Sequence, residues 1–148
     1  MKEIKAPNER VYHGRSVFLA GSIEMGKAVD WQAQVKEILK DSDWTILNPR
    51  RDDWDSSWVQ SIENKQFAEQ VRWELDAQDD ADKIFMYFAP ETKSPISLLE
   101  LGLYADSGKM VVVCPEGFWR KGNVEMVCAR YGIPLYEDIK VAAEKELK

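Results

Sequence analysis

Two glutamates lie among apolar side chains and are the residues of this sequence best suited to chemistry. Glu100 interrupts the apolar run "SLLELGLY" (97–104), and Glu74 follows Val71 by three residues in a stretch with helical spacing. A charge among apolar groups costs free energy unless it is paired or used. Two inward carboxylates suit retaining cleavage of a glycosidic bond, in which one attacks the anomeric carbon while another group manages the proton of the leaving group.

Each glutamate also has a purely structural interpretation. Glu100 falls in the first turns of its predicted helix, where the helix N-terminus favours the ionised form and apolar neighbours raise the pKa, a balance that suits a nucleophile. The alternative is a structural ion pair between Glu100 and Lys109 or a neighbouring arginine. Glu74 has a similar alternative, because a shift of one residue would place it on the solvated helix face with Asp76, Asp79 and Asp80.

A glycine turn is the next candidate site. Gly21 and Ser22, in "AGSIEMGK" (20–27), follow an apolar run, and free backbone N–H groups in such a turn can hold a phosphate or a sugar hydroxyl. The segment is neither GxGxxG nor a complete P-loop, so the pattern alone also fits a tight turn.

The other reactive residue types suggest no metal centre or cofactor. His13 is the only histidine, and Cys114 and Cys128 are not in a CxxC spacing, so a zinc site has too few ligands. We expect neither His13 nor Cys114 to be catalytic. The six tryptophans are expected mainly in the core or in the polar loop 50–64, although one near the site could stack on a nucleobase.

The elements that must position these residues alternate between strands and helices. Apolar runs closed by Gly or Pro predict strands at 16–20, 44–47, 83–89, 110–114 and 133–136, and helical spacing predicts helices at 30–40, 61–78, within 94–109, 123–132 and 138–148. This alternation predicts an α/β fold with a doubly wound parallel sheet in a single domain at 16–148, preceded by a polar lead-in at 1–15. Ligands of such sheets bind beyond the carboxyl ends of the strands, where Gly21, Ser22 and the 90–100 segment lie.

Composition limits the partners. The net charge is −6 and no basic run exceeds Arg50-Arg51, so we expect no nucleic acid polymer as partner, although a small anion stays possible. No apolar run approaches the roughly 18 residues of a membrane span. The sequence therefore predicts a reduced, cytoplasmic protein with a small-molecule ligand and no membrane partner.

Several short motifs keep a family order and spacing: "FLAGSI", "NPRR", "WEL", "ADKIFMYF", "SPISLLELG" and "VVVCPEGFWRKGNVEMVCARYGIPL". With them the chain resembles the nucleoside 2-deoxyribosyltransferase-like superfamily, particularly its bacterial and phage branch, from about Val17 to Leu135. The resemblance implies a flavodoxin-like sheet of five strands. It also implies that Glu100 cleaves the N-glycosidic bond of a nucleoside.

The resemblance carries further roles to single positions. Glu74 falls where the superfamily usually has an aspartate that works with the leaving base. Ser94 occupies the position of a residue that contacts the sugar 5′ region, which is a phosphate-binding serine in related 2′-deoxynucleoside 5′-monophosphate N-hydrolases. Phe18 stands near a tyrosine that lies beside the sugar in relatives, and Asn123 matches a region that completes the site of a neighbouring subunit.

One further position bears on phosphate binding. Glu24 lies where the related hydrolases tend to have a basic phosphate ligand, a role then left to Lys27 or Arg51.

The leading hypothesis is transfer on (2′-deoxy)nucleosides through a covalent glycosyl-enzyme on Glu100, in a homo-oligomer of two or more copies. The alternatives are a nucleoside 5′-monophosphate N-glycosidase and a non-catalytic nucleotide-binding sensor.

Overall fold

The chain alternates between strands and helices from its first residues. The computed structural model describes residues 1–12, 14–23, 29–51, 53–55 and 57–148. Within these ranges the strands are β1 (Lys2–Lys5), β2 (Ser16–Gly21), β3 (Thr45–Asn48), β4 (Lys83–Tyr87), β5 (Met110–Val113) and β6 (Leu135–Tyr136). The helices are α1 (Trp31–Leu39), α2 (Lys65–Asp80), α3 (Pro95–Tyr104), α4 (Lys121–Tyr131) and α5 (Ile139–Glu146). None of the described helices is long and apolar enough to cross a membrane.

The strands form one parallel sheet in the order β1-β3-β2-β4-β5-β6. Strands β2 to β6 therefore take the 2-1-3-4-5 order of flavodoxin-like sheets, the architecture that the family resemblance implied. The order reverses between β2 and β4, which pair with Phe18 opposite Ile84. This reversal opens the crevice in which such sheets bind ligands.

The prediction of five strands is wrong, because a sixth forms within the polar lead-in. Strand β1 lies beside β3, with Ile4 opposite Leu47. Ile4 is buried in the core while Glu3 bonds Asn48 and Lys36. One buried apolar residue and a few polar contacts are enough to hold an edge strand that has almost no hydrophobic pattern.

Two apolar layers cover the sheet. Phe18, Ile84 and Met86 face a layer to which α2, α3 and α4 contribute, and Leu19 and Phe85 face the layer of α1 and α5. Strands buried on both faces read as continuous apolar runs, which explains why "KIFMYFA" was recognisable. The candidate residues on α2 and α3 thus lie on the same side of the sheet.

Local hydrogen bonds set the element ends. Helix α2 begins at Lys65 rather than at the predicted residue 61, because the Asn64 side chain accepts a hydrogen bond from the Phe67 N–H at 2.9 Å. Asp82, directly before β4, accepts a hydrogen bond from the Ser16 N–H at 2.8 Å and so joins the starts of β4 and β2.

Candidate active site

A cavity of about 650 Å³ opens at the carboxyl edge of the sheet, between α2 and α3. It contains both candidate glutamates, the glycine turn after β2 and part of the loop after β3. The described lining residues that matter below are Gly21, Ser22, Arg51, Trp54, Gln60, Gln70, Glu74, Ser94 and Glu100. Helix α3 adds a rim of Ile96, Leu99 and Leu103.

Glu100 is held by an amide rather than by a cation. Its side chain is buried, and Oε2 accepts a hydrogen bond from Gln78 Nε2 at 2.6 Å. Burial raises the pKa of Glu100 to about 7, while the Gln78 hydrogen bond acts in the opposite direction. Glu100 is therefore a carboxyl removed from water at the wall of the cavity, where the neutral form is favoured more than in solution.

The ion-pair interpretation of Glu100 does not hold for Lys109. Lys109 Nζ donates to the main-chain carbonyls of Gln78 at 2.7 Å and Asp79 at 2.9 Å, at the end of α2. In the part of the chain that the structure describes, no ion pair involves Glu100.

Glu74 faces the same cavity from α2. Burial is the main cause that raises its pKa, to about 8, and the charge of Glu100 adds to it, whereas the Gln70 side chain lowers it. Glu74 therefore does not belong with the solvated aspartates of α2. At neutral pH its environment favours the protonated carboxyl.

Two amides flank Glu74 on α2, one turn before it and one turn after it. Gln70, Glu74 and Gln78 are four residues apart, so they share one helix face. Besides Glu100, Gln78 Nε2 contacts the Glu74 carbonyl at 3.2 Å, and Gln70 Nε2 donates to the Pro49 carbonyl at 2.9 Å. Neither amide was predicted as a site residue, because glutamines on a helix are commonly solvent-exposed, although their four-residue spacing from Glu74 is visible in the sequence.

Three hydroxyls meet at the topological switch point. Ser22 Oγ lies 2.9 Å from Thr92 Oγ1 and 2.5 Å from Ser94 Oγ, and the last two atoms are 2.7 Å apart. The Ala89 N–H donates to Ser22 Oγ at 2.9 Å and so fixes the cluster to the end of β4. Thr92 is a member that the sequence analysis did not single out.

Helix α3 begins at this hydroxyl cluster. Ser94 takes the N-cap position with a left-handed backbone (φ 47°), and its hydroxyl does not cap the helix. Pro95 fills the first helical position, where its missing N–H is not needed. The N–H groups of this first turn carry a partial positive charge and suit an oxygen-rich or anionic group.

Gly21 allows the close approach of β2 and β4. It has a φ of 134°, and a Cβ built on it would lie 2.1 Å from the Tyr87 carbonyl oxygen. The residue is therefore required for packing at this point, and Ser22 follows it directly into the site.

The remaining candidates lie in different surroundings. Arg51 lines the cavity, but its guanidinium already bonds Asp53 at 2.8 Å and Glu69 at 3.2 Å. Phe18 is buried in the core with its ring 6.4 Å from that of Trp73, and it is not among the described residues that line the cavity.

Asn123 is separated from Glu100 within one chain. It is exposed on α4 and lines a second groove of about 330 Å³, between α3 and α4, together with Trp119. His13, Glu24 and Lys27 lie outside the described residues. Among the residues that are described, no cluster of His, Cys, Asp or Glu could hold a metal ion.

Comparison with protein families fits this geometry. The family model described as "Nucleoside 2-deoxyribosyltransferase like" matches residues 14–118, which is more than two thirds of the chain. The chain belongs to this family. The match confirms the resemblance drawn from the motifs, and it includes both glutamates of this nucleoside 2-deoxyribosyltransferase-like protein. No curated protein sequence matches the chain.

Proposed function

We propose that this protein cleaves the N-glycosidic bond of a (2′-deoxy)nucleoside through a covalent glycosyl-enzyme on Glu100 and transfers the sugar to a second base. The observation that carries the proposal is the pair of buried carboxyls, Glu74 and Glu100, that line one cavity and both have a raised pKa. The cavity volume lies within the range of about 300–1,000 Å³ typical of small-molecule sites. Membership of a family of nucleoside deoxyribosyltransferase-like enzymes supports the same chemistry.

In the first half of the reaction, ionised Glu100 attacks C1′ of the sugar. The Glu100 Oε–C1′ bond forms as the C1′–N bond to the base breaks, and the bonding electron pair leaves with the base. Protonated Glu74 gives its proton to a ring nitrogen of that base, so the base departs neutral. The raised pKa of Glu74 keeps this proton available near neutral pH.

In the second half, a new base attacks C1′ from the vacated side. Glu74, now ionised, accepts the proton that the incoming nitrogen loses, and the Glu100–C1′ ester bond breaks with its electron pair returning to the carboxylate. Water in place of the base would release free sugar. Transfer and hydrolysis therefore differ only in which acceptor the site admits.

The second candidate function is hydrolysis of a nucleoside 5′-monophosphate. It is favoured by the position of Ser94, whose hydroxyl joins those of Ser22 and Thr92 at the start of α3. A helix N-terminus and neutral hydroxyl donors are suitable partners for a phosphate. On a free nucleoside, the same hydroxyls would bind the 5′-OH.

A second copy of the chain completes the site in this proposal. Ile96, Leu99 and Leu103 form an apolar rim on α3, and each is at least 60% exposed. An apolar patch at the mouth of a site is typical of an interaction surface. Asn123 lies in the groove beyond α3, where it would reach the cavity of a neighbour rather than that of its own chain.

Incubation with nucleosides and with 5′-monophosphates, each with and without an acceptor base, tests both functions by chromatography. We expect base exchange with nucleosides from the wild type, and a loss of at least about 10³-fold in Glu100→Gln because the nucleophile is gone. A slow 2-fluoro-sugar substrate should leave an adduct on Glu100 by mass spectrometry.

The matched control is Glu144→Gln, an exposed glutamate on α5 across the sheet, which should keep wild-type turnover. Full turnover in Glu100→Gln would contradict the assigned nucleophile. Release of free sugar from 5′-monophosphates alone would favour the second candidate over transfer.

A further inference from the structure

The loop that ends at Ser94 is held from outside the cavity by an indole. Trp119 Nε1 donates a hydrogen bond to the main-chain carbonyl of Lys93 at 2.9 Å. Lys93 Nζ and the guanidinium carbon of Arg120 lie 5.1 and 4.5 Å from the centroid of the Trp119 ring, so cation–π attraction also restrains the indole. Because Trp119 lies between β5 and α4, its hydrogen bond joins the loop after β5 to the loop after β4.

Two further contacts join the same loops. Phe118 and Phe88 are both buried, and their ring centroids are 4.8 Å apart. Gly117 has a φ of 97°, and a Cβ built on it would lie 3.5 Å from Pro90 Cβ. The segment before α4 therefore packs along the whole loop that leads from β4 to the hydroxyl cluster.

Ser94 is the residue that the Trp119 hydrogen bond restrains. Its backbone is left-handed (φ 47°, ψ 53°), and no other non-glycine residue in the described ranges has a positive φ. Such a conformation costs roughly 1–3 kcal/mol and persists only where the surroundings impose it. The angle φ is the rotation of Ser94 relative to the peptide that it shares with Lys93, so a fixed Lys93 carbonyl fixes the plane from which this rotation starts. The same rotation directs Ser94 Oγ toward Ser22 and Thr92.

Ser22, which lies opposite Ser94 in the hydroxyl cluster, is restrained in the same manner. Trp31 Nε1 donates to the Ser22 carbonyl at 3.0 Å. Trp31 is 2% exposed and belongs to the core, whereas Trp119 is 50% exposed. A change at Trp119 should therefore alter the position of Ser94 with little effect on the core.

We propose that Trp119 is a positioning residue for the sugar, because its N–H bond to Lys93 keeps the Ser94 hydroxyl directed at the 5′ group of the substrate. The inference rests on the proposed function, in which the hydroxyl cluster binds the 5′-OH or the 5′-phosphate. Trp119 is not among the described residues that line the cavity, so it acts through the peptide before Ser94. Bond cleavage at C1′ should depend on it much less, because Glu100 is held separately by Gln78.

A ratio of two kcat/KM values reports this role. The value for a 2′-deoxynucleoside, or for its 5′-monophosphate where that is the substrate, is divided by the value for the 2′,5′-dideoxynucleoside of the same base, with adenine and cytosine as the bases. We expect a wild-type ratio of about ten or more, because a site that hydrogen-bonds a hydroxyl rejects the analogue that lacks it. Trp119→Phe keeps a ring without the N–H and should lower the ratio at least about threefold, by slowing the substrate that carries the 5′ group.

Two other variants complete the test. Trp44→Phe is the matched control, because Trp44 Nε1 also donates to a main-chain carbonyl, that of Leu147, but directly before β3 at the opposite edge of the sheet. It should keep the wild-type ratio. Ser94→Ala should remove most of the ratio by itself. Adding Trp119→Phe to Ser94→Ala should then change the ratio by less than about 1.5-fold, because Trp119 acts through a hydroxyl that is already absent.

Three results would overturn the inference. The first is a wild-type ratio near one, a result that needs no variant to fold. The second is an unchanged ratio in Trp119→Phe, including an equal loss on both substrates, which would mean that the indole only supports packing. The third is an equal drop of the ratio with and without the Ser94 hydroxyl. Absence of wild-type turnover with every nucleoside and nucleotide is a different outcome and would contradict the proposed function instead.

Discussion

Glu100 and Glu74 are the same residue type in different surroundings. Burial raises the pKa of both, to about 7 for Glu100, which accepts a hydrogen bond from Gln78, and to about 8 for Glu74, which also lies near the charge of Glu100. The carboxyl with the lower pKa ionises first and is suited to attack. The other stays protonated and is suited to donate, so the surroundings divide the roles.

The pH dependence of kcat/KM tests this division at the residue scale. Below about pH 7 Glu100 becomes protonated and loses its nucleophilicity, and above about pH 8 Glu74 loses the proton that it must donate. We expect a bell-shaped profile. Because Gln78 stabilises ionised Glu100, Gln78→Met should raise the pKa of Glu100 and move the acidic limb upward by about one pH unit.

The basic limb reports Glu74 and should move less than the acidic limb, because Gln78 bonds the Glu74 main-chain carbonyl and not its carboxyl. A uniform loss of activity, with both limbs unmoved, would mean that Gln78 has only a packing role.

The two carboxylates of the candidate site stand out in the sequence, whereas its two amides, Gln70 and Gln78, do not. Glu100 was recognisable because its neighbours are leucines, and a carboxylate there needs an explanation. Gln70 and Gln78 resemble the many surface glutamines of soluble helices, and their burial follows only from how α2 packs against α3. Arg51 and Phe18 were assigned from the family pattern. No sequence pattern indicates that Asp53 and Glu69 pair with Arg51 in the folded chain.

At the element scale, the junction of β2 and β4 depends on one glycine. A methyl group on Gly21 would meet the Tyr87 carbonyl, and the φ of 134° is unfavourable for any side chain. We expect Gly21→Ala to lower the free energy of unfolding by at least about 2 kcal/mol, measured by denaturant titration.

Gly102→Ala is the matched substitution for this prediction. Gly102 is exposed inside α3, and no atom lies within 4 Å of a Cβ built there. Alanine should raise the free energy of unfolding by up to about 1 kcal/mol, because glycine weakens a helix interior. If Gly21→Ala were as stable as Gly102→Ala, the close strand approach would be contradicted.

Apolar patterns predicted the strands that are buried on both faces of the sheet, but they did not predict the edge strand β1. Strands β2, β4 and β5 appear at the predicted places within one or two residues because continuous apolar runs mark them. Strand β1 is "KEIK", in which only Ile4 enters the core. Its pairing with β3 depends on main-chain hydrogen bonds, which any sequence can form, so nothing in its residue types distinguishes it from a loop.

At the scale of the whole molecule, a shared site can be tested by mixing inactive subunits. Glu100→Ala lacks the proposed nucleophile, and Asn123→Ala lacks the group proposed to reach a neighbour. In a hybrid oligomer, one of the two sites between each pair of unlike subunits has both residues intact. Up to about half of the sites between unlike subunits should therefore regain turnover in an activity assay.

Mixing Glu100→Ala with Glu74→Ala is the control, because both residues line the cavity of one chain and no hybrid site is complete. Subunit exchange without recovery in the first mixture, or a fully active monomer by light scattering, would contradict the shared site.

The two borders of the sheet determine which surfaces copies of the chain can use to associate. On one side β1 is four residues long, with Lys2, Glu3 and Lys5 around a single apolar residue, and on the other β6 has only two residues. Very short strands such as β6 and charged strands such as β1 are poor templates for another chain's backbone, and proteins use both to prevent aggregation by strand addition. Assembly through a continuous sheet is thereby disfavoured. The helical layers, including the apolar rim beside the cavity, are left as the surfaces through which copies can meet.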